Sequence, residues 1–321
     1  MNTDIDPIPT WREGYLHEAV YYSTDEELLG VAVPFLTGGA SAGMPTVVAL
    51  GERTGALVRA ALPADADVTF LPGGDMYARP AAAIRAYRDM LASYRAAGAG
   101  QIRIIGEVPR AALGATWDWW ARYEAAINRA YDDFPLWSLC AYDTRITPPP
   151  VLVDVGRTHP HAVAPDGRHV PSATFTDPVA YLSEARPMVP DPVQREAPIA
   201  ELADPTPADA RHAVYAAANG RLPAGDVEGL VIAVSEAVTN ALRHGRPPST
   251  VRVWAGPDRI VVEVRDAGTG VQDPFAGLLP ARGDPAGGLG LWIAHQSCNH
   301  VVADRSAGAF TLRLTAGNPH F

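Results

Sequence analysis

Apolar positions along this chain follow one rhythm up to about residue 180 and another beyond residue 206. In the first stretch, nearly continuous apolar runs at Pro45–Leu50, Asp67–Leu71, Gln101–Gly106 and Trp137–Tyr142 predict buried strands. Helical spacing predicts helices over Asp25–Leu36, Thr54–Ala61, Ala81–Ala96 and Thr116–Tyr131. Such alternation predicts an α/β domain with a central parallel sheet. In the second stretch, a helix over Ala208–Ala218 stops at Asn219-Gly220. Val227, Leu230, Val231, Val234, Val238, Ala241 and Leu242 then recur with helical period, predicting a helix from about Asp226 to a stop at Gly245. Thr250–Ala255 and Arg259–Arg265 alternate about Gly256-Pro257-Asp258, the pattern of a hairpin. A helix over Gly290–Ser297 and a strand over Ala309–Thr315 close the series. This order predicts an α/β sandwich with helices on one face of a mixed sheet.

Between the two rhythms, prolines recur at Pro187, Pro190, Pro192, Pro198, Pro205 and Pro207 with acids among them. Such chain disfavours helix and favours an extended, semi-rigid form. The expected organisation is a tail over 1–13, a first domain over 14–183, a linker over 184–205 and a second domain over 206–321.

Composition narrows the function. The chain has 321 residues and a net charge of −10, and it carries no basic run, which argues against a nucleic-acid partner. Cys140 and Cys298 sit in no C-x-x-C pair and are expected to be reduced and structural. Neither a signal peptide nor a membrane-spanning run is visible, so a cytoplasmic location is expected. All 26 basic residues are arginine. A Walker-type phosphate loop needs lysine on the phosphates, so that route to ATP is closed.

A lysine-free route stays open in the second domain. Glu236 and Asn240 lie four apart, on a helix face other than the apolar one. An asparagine amide oxygen can ligate magnesium, and a carboxylate one turn away can take a proton from an attacking hydroxyl. A solvated glutamate with a surface asparagine explains the same pair. Asp266 ends a predicted strand and is followed by Gly268 and Gly270. Aspartate there can accept from the exocyclic amine of adenine, and glycines let the backbone turn and approach the ring; an ordinary turn explains it too. Gly287, Gly288 and Gly290 precede a predicted helix, whose free amides can hold phosphate; a flexible loop leading into a helix explains them too. Their joint order carries more weight than any one of them.

These three motifs resemble the nucleotide boxes of the GHKL (Bergerat-fold) ATPases. The segment from Val234 to Gly245 most resembles the anti-sigma-factor serine/threonine kinases of bacterial stress response and sporulation. The resemblance implies ATP with magnesium, Glu236 as general base, Asn240 on the metal, Asp266 on adenine, and a lid between Val271 and Gly287. It also implies that Thr311 helps hold adenine through water. Within the lid, Phe275, Leu278 and Leu279 pack either on a partner or on nucleotide, and Arg282 either neutralises phosphate or is solvated.

In the first domain, His17-Glu18-Ala-Val-Tyr21-Tyr22, the stretch Leu28–Leu50, Leu139-Cys-Ala-Tyr142-Asp143 and Thr158-His159-Pro160-His161 together resemble the MEDS domain. That family is a sensory module proposed to recognise small hydrocarbon derivatives and is similar to RecA/KaiC-like folds. The resemblance implies a parallel-sheet fold, here without a P-loop. The segment from Tyr21 to Glu27 has neither glycine nor lysine, and Met44-Pro45 replace the Lys-Ser/Thr pair after Gly38. Glu107 and Asp143 fall at the carboxyl ends of predicted strands, where open α/β sheets bind ligands; loop acids that cap the next element explain them too. His159 and His161 show no third metal ligand at a plausible spacing, and His17 reads as structural.

The resulting expectation is an anti-sigma-type serine/threonine kinase, a homodimer. It binds a sigma factor and phosphorylates an antagonist protein, and a small-molecule ligand at the first domain controls it. A sensor histidine kinase and a non-catalytic nucleotide-binding sequestering protein remain open.

Overall fold

The computed structural model describes residues 14–71, 79–164, 167–186, 188–280, 289–305 and 308–317. It divides into two compact units, one built mainly from residues up to Leu182 and the other mainly from Ser183 onward.

The first unit is a seven-stranded sheet with helices between its strands. In chain order it runs β1 (Leu16–Tyr22), α1 (Asp25–Ser41), β2 (Thr46–Ala49), α2 (Glu52–Ala61), β3 (Thr69–Phe70), α3 (Pro80–Ala96), β4 (Ile102–Gly106), α4 (Trp117–Ala130), β5 (Leu136–Asp143), α5 (Pro149–Thr158), β6 (His161–Val163), β7 (His169–Pro171) and α6 (Pro178–Ser183). The strand order is β3-β2-β4-β5-β1-β6-β7, parallel except for β7 on β6. All four residues of β2 are buried, as a strand covered on both faces requires. Thr24 and Glu27 form a capping box at the start of α1.

β1 and α5 escape the sequence reading for physical reasons. β1 carries His17 and Glu18 in its middle, yet both are buried because both find partners. α5 begins in a run of prolines, which suit a first helical turn because its amides need no acceptor there.

The second unit comprises β8 (Ala200–Ala203), α7 (Pro207–Ala218), α8 (Ala224–His244), β9 (Thr250–Ala255), β10 (Arg259–Asp266), α9 (Leu289–Ser297), β11 (His300–Asp304) and β12 (Phe310–Gly317). Its sheet has the order β11-β12-β10-β9-β8, and every pairing is antiparallel, not mixed as expected. The mixed-sheet reading missed β11, which pairs with β12 and returns the chain to the sheet edge in the antiparallel sense. Val214, Leu230, Val234, Val238, Val253, Val262, Leu312 and Leu314 form the core between helices and sheet. Leu242 is not part of it; 57% of its surface is exposed.

Much of the stretch expected as a linker is folded onto this unit. β8 extends the sheet as an edge strand beside β9. Ahead of it, Arg259 Nε donates to Asp191 Oδ1 at 3.1 Å, Gln194 Nε2 to Glu263 Oε1 at 2.6 Å, and Trp254 Nε1 to the Glu196 carbonyl at 3.0 Å. Prolines do exclude helix here, but extended chain with well-placed acids is also what a sheet edge accepts.

Candidate functional site

The C-terminal half of α8 collects most of the residues singled out for nucleotide. Glu236 and Asn240 sit one turn apart and half-buried. A Cβ placed on Gly290 would lie 2.5 Å from Glu236 Oε2 and 3.4 Å from Asn240 Nδ2, so both side chains reach the first turn of α9. Neither side chain has a hydrogen-bond partner among the described residues. Two half-buried polar groups aimed at a helix N-terminus form a donor set suited to a metal–phosphate pair.

One turn beyond Asn240, α8 stops at Gly245, and there the chain meets Asp266. A Cβ on Gly245 would stand 2.5 Å from Asp266 Cγ, and one on Gly268 would stand 2.6 Å from Asp266 Oδ1. Asp266 is buried, and its Oδ1 accepts from the amides of Gly268 at 2.6 Å and Arg246 at 3.2 Å. Its Oδ2 has no hydrogen-bond partner among the described residues. Gly270 adopts φ +67° with its backbone against the Phe310 ring, a conformation and a contact that only glycine allows.

Thr311 is not brought to this site. It pairs with Arg265, whereas Asp266 pairs with Phe310. Side chains alternate along a strand, so Thr311 projects from the sheet face opposite Asp266. Phe310 holds the position beside Asp266 and packs on the core. Gly287, Gly288 and Arg282 lie outside the described residues. The first part of the expected lid is described: Phe275 and Leu278 are buried, and Gly277 abuts Leu291 and His295 of α9. Leu279 beside them is half-buried.

The first unit opens a cleft of 1320 Å³ at the carboxyl ends of its parallel strands, lined by Tyr22, Arg53, Glu107, Asp143 and Arg145 among others. Arg145 Nη2 reaches Asp143 Oδ2 at 2.6 Å and Asp25 Oδ1 at 3.1 Å, and Arg53 pairs with Asp25 at 2.9 Å. Its hydrogen bonds to Arg145 hold the Asp143 carboxyl below the usual carboxylate range. Glu107 Oε1 accepts from the Gly51 amide and the Thr54 hydroxyl, both at 2.6 Å, and so caps α2. At the start of α1, Glu27 Oε2 accepts from the Ser23 amide at 2.6 Å. A carboxylate at this helix N-terminus caps it and repels phosphate.

Two family models match the chain. The MEDS model, described as the methanogen/methylotroph, DcmR sensory domain, matches residues 16–160. The model described as a histidine kinase-like ATPase domain matches residues 200–316. The chain carries a MEDS domain followed by a histidine kinase-like ATPase domain. A search of curated proteins finds no match. This pairing makes it a regulatory, ATP-binding, kinase-like protein. No helix among the described residues is long and apolar enough to cross a membrane.

The MEDS domain also holds a buried cluster that sequence reading missed. His17 on β1, Glu124 on α4, Cys140 on β5 and His159 just past α5 bring their polar atoms within 4.8 Å of one another. The sequence separates them by long intervals set by topology, which no local motif spacing reveals. Burial pushes the His17 and His159 pKa values down to about 4 and about 3, and pushes the Glu124 carboxyl up. His161, paired with His159 in the sequence reading, is not in the cluster.

Proposed function

We propose that the ATPase domain is a serine/threonine protein kinase of the anti-sigma type. It binds a sigma factor and phosphorylates a hydroxyl on an antagonist protein, and it works as a homodimer. A small molecule in the MEDS cleft biases that activity. The observation that carries this reading is the convergence of Glu236 and Asn240, both unpartnered among the described residues, on Gly290 at the start of α9.

The chemistry follows from the geometry. Asn240 would hold magnesium through its side-chain oxygen, and that ion supplies charge neutralisation for the triphosphate. The amides at the start of α9 face the developing charge of the phosphoryl group. Glu236, beside them, takes the proton of the incoming hydroxyl. Asp266, with Oδ1 locked by two amides, turns Oδ2 to the exocyclic amine of adenine. His17 is 1% exposed on β1, which fits a structural histidine and not a phosphoacceptor.

The test combines calorimetry of ATP binding with transfer of radiolabelled phosphate to proteins of a cell extract. Magnesium-dependent binding that Asn240→Ala abolishes is expected. Glu236→Gln should keep ATP binding and lower transfer about 100- to 10,000-fold, the range for losing a general base. Acid-stable phosphate on the product supports the serine/threonine assignment. Acid-labile phosphate, or transfer unaffected by Glu236→Gln, would refute it.

A further inference from the structure

The buried cluster of the MEDS domain has the composition and spacing of a metal centre. Tetrahedral coordination with bonds of about 2.0–2.3 Å puts neighbouring donor atoms about 3.3–3.8 Å apart. Glu124 Oε2 stands 3.4 Å from His17 Nε2 and 3.6 Å from His159 Nε2. Cys140 Sγ stands 3.4 Å from His17 Nε2. Those separations match the edges of such a tetrahedron.

The surroundings aim both imidazoles inward. Asn128 Nδ2 donates to the carbonyls of Glu124 at 2.9 Å and Thr158 at 2.8 Å, which fixes its Oδ1 toward His17. That oxygen lies 3.0 Å from His17 Nδ1 and can only accept, so Nδ1 carries the proton and Nε2 presents a lone pair. His159 Nδ1 lies 2.9 Å from the Val155 carbonyl, another pure acceptor, so its Nε2 is bare as well. Tyr142 donates to Glu124 Oε1 at 3.1 Å, leaving Oε2 for the cluster. Glu124 Oε2 and His159 Nε2 are buried with no hydrogen-bond partner. Unpaired acceptors facing one another in a dry interior repel, and a cation resolves the conflict. Imidazoles oriented by a second hydrogen bond through their outer nitrogens are what metal sites use.

We propose that His17, Glu124, Cys140 and His159 bind one divalent transition-metal ion, zinc or a metal of similar coordination preference. Imidazole and thiolate ligands disfavour magnesium and calcium. Carboxylate and thiolate together supply two negative charges, which balance a divalent cation in the interior. Binding releases the Cys140 thiol proton to solvent. A cavity of 40 Å³ borders Glu124 and Cys140, so a water-sized molecule has room beside the ligands.

The experiment loads the full chain with zinc or cobalt, removes loosely held ions by dialysis, and measures metal content and the cobalt absorption spectrum. The expected result is about one ion per chain, as in a single four-ligand site. The cobalt form should show a thiolate charge-transfer band and intense tetrahedral ligand-field bands. Cys140→Ser should lose the charge-transfer band while circular dichroism and ATP binding stay unchanged. His161→Ala, outside the cluster, should keep both band and metal. Asn128→Leu should weaken metal affinity about 10- to 100-fold through the orienting bond. A wild-type chain that retains no stoichiometric metal would overturn the site and leave a cluster in which Glu124 keeps its own proton. A cobalt spectrum identical in Cys140→Ser would overturn it equally.

Discussion

Gly290 shapes the proposed site by lacking a side chain. Its backbone runs so close to Glu236 that a methyl group would displace the carboxylate, with 2.5 Å between the added carbon and Oε2. Misplacing a reacting group by about 1 Å can cost about 100-fold in rate, so Gly290→Ala should lower phosphotransfer by about that factor. Its affinity for ATP should fall far less, because Asp266 is held elsewhere, by Gly245 and Gly268. Steady-state kinetics beside calorimetry separate the two effects; equal losses in binding and turnover would show that Gly290 shapes the nucleotide pocket as a whole. The sequence singled out Glu236, Asn240 and Gly290, and Asp266 with Gly268, as two candidate groups, and the members of each lie close together. It did not announce that Gly268 and Gly245 press on the same aspartate, because that contact joins a helix end to a strand end more than twenty residues away in the chain. Thr311 failed on parity. A single step along β12 moves a side chain to the other face of the sheet, and the spacing of motifs does not resolve one step.

α8 ties the site to the core. It is 21 residues long, buries Val227, Leu230, Val234 and Val238 along one side, and turns Glu236 and Asn240 toward α9. Leu230 is fully buried. Leu230→Ala should destabilise the ATPase domain by about 2–5 kcal/mol through lost burial and a residual cavity, measured by denaturant unfolding. A cost under about 1 kcal/mol would mean that the helices relax to fill the gap. Long periodic elements such as α8, and clean hairpins such as β9–β10, were legible because pattern and burial agree over many residues. β8 and β11 were not, since four or five residues carry too few alternations to separate a strand from a loop. β1 hid because its buried polar residues broke the apolar run. The partners that let His17 and Glu18 be buried stand more than a hundred residues away.

Each unit has its own hydrophobic core, one drawn from residues between Val20 and Val163 and the other from residues between Ala210 and Ala316. The two-part organisation was legible in the change of rhythm and in the prolines, whereas the metal cluster was not, because its four residues meet only when β1, α4, β5 and α5 are packed. Two cores predict two thermal transitions in calorimetry of the full chain. Magnesium with ATP, at about 100 times its dissociation constant, should stabilise the ATPase transition by about 2.7 kcal/mol and leave the other in place. Chelation of a bound transition metal should lower the other transition, because the ligands come from strands and helices of the MEDS core. The same two additions also test regulation. Were each perturbation to move both transitions, the domains would share a coupling free energy, and the MEDS domain could bias ATP binding by that amount. If neither moves the other's transition, control of the proposed kinase activity must act on the phosphotransfer step or on partner binding, and a cleft ligand should then change turnover without changing the affinity for ATP.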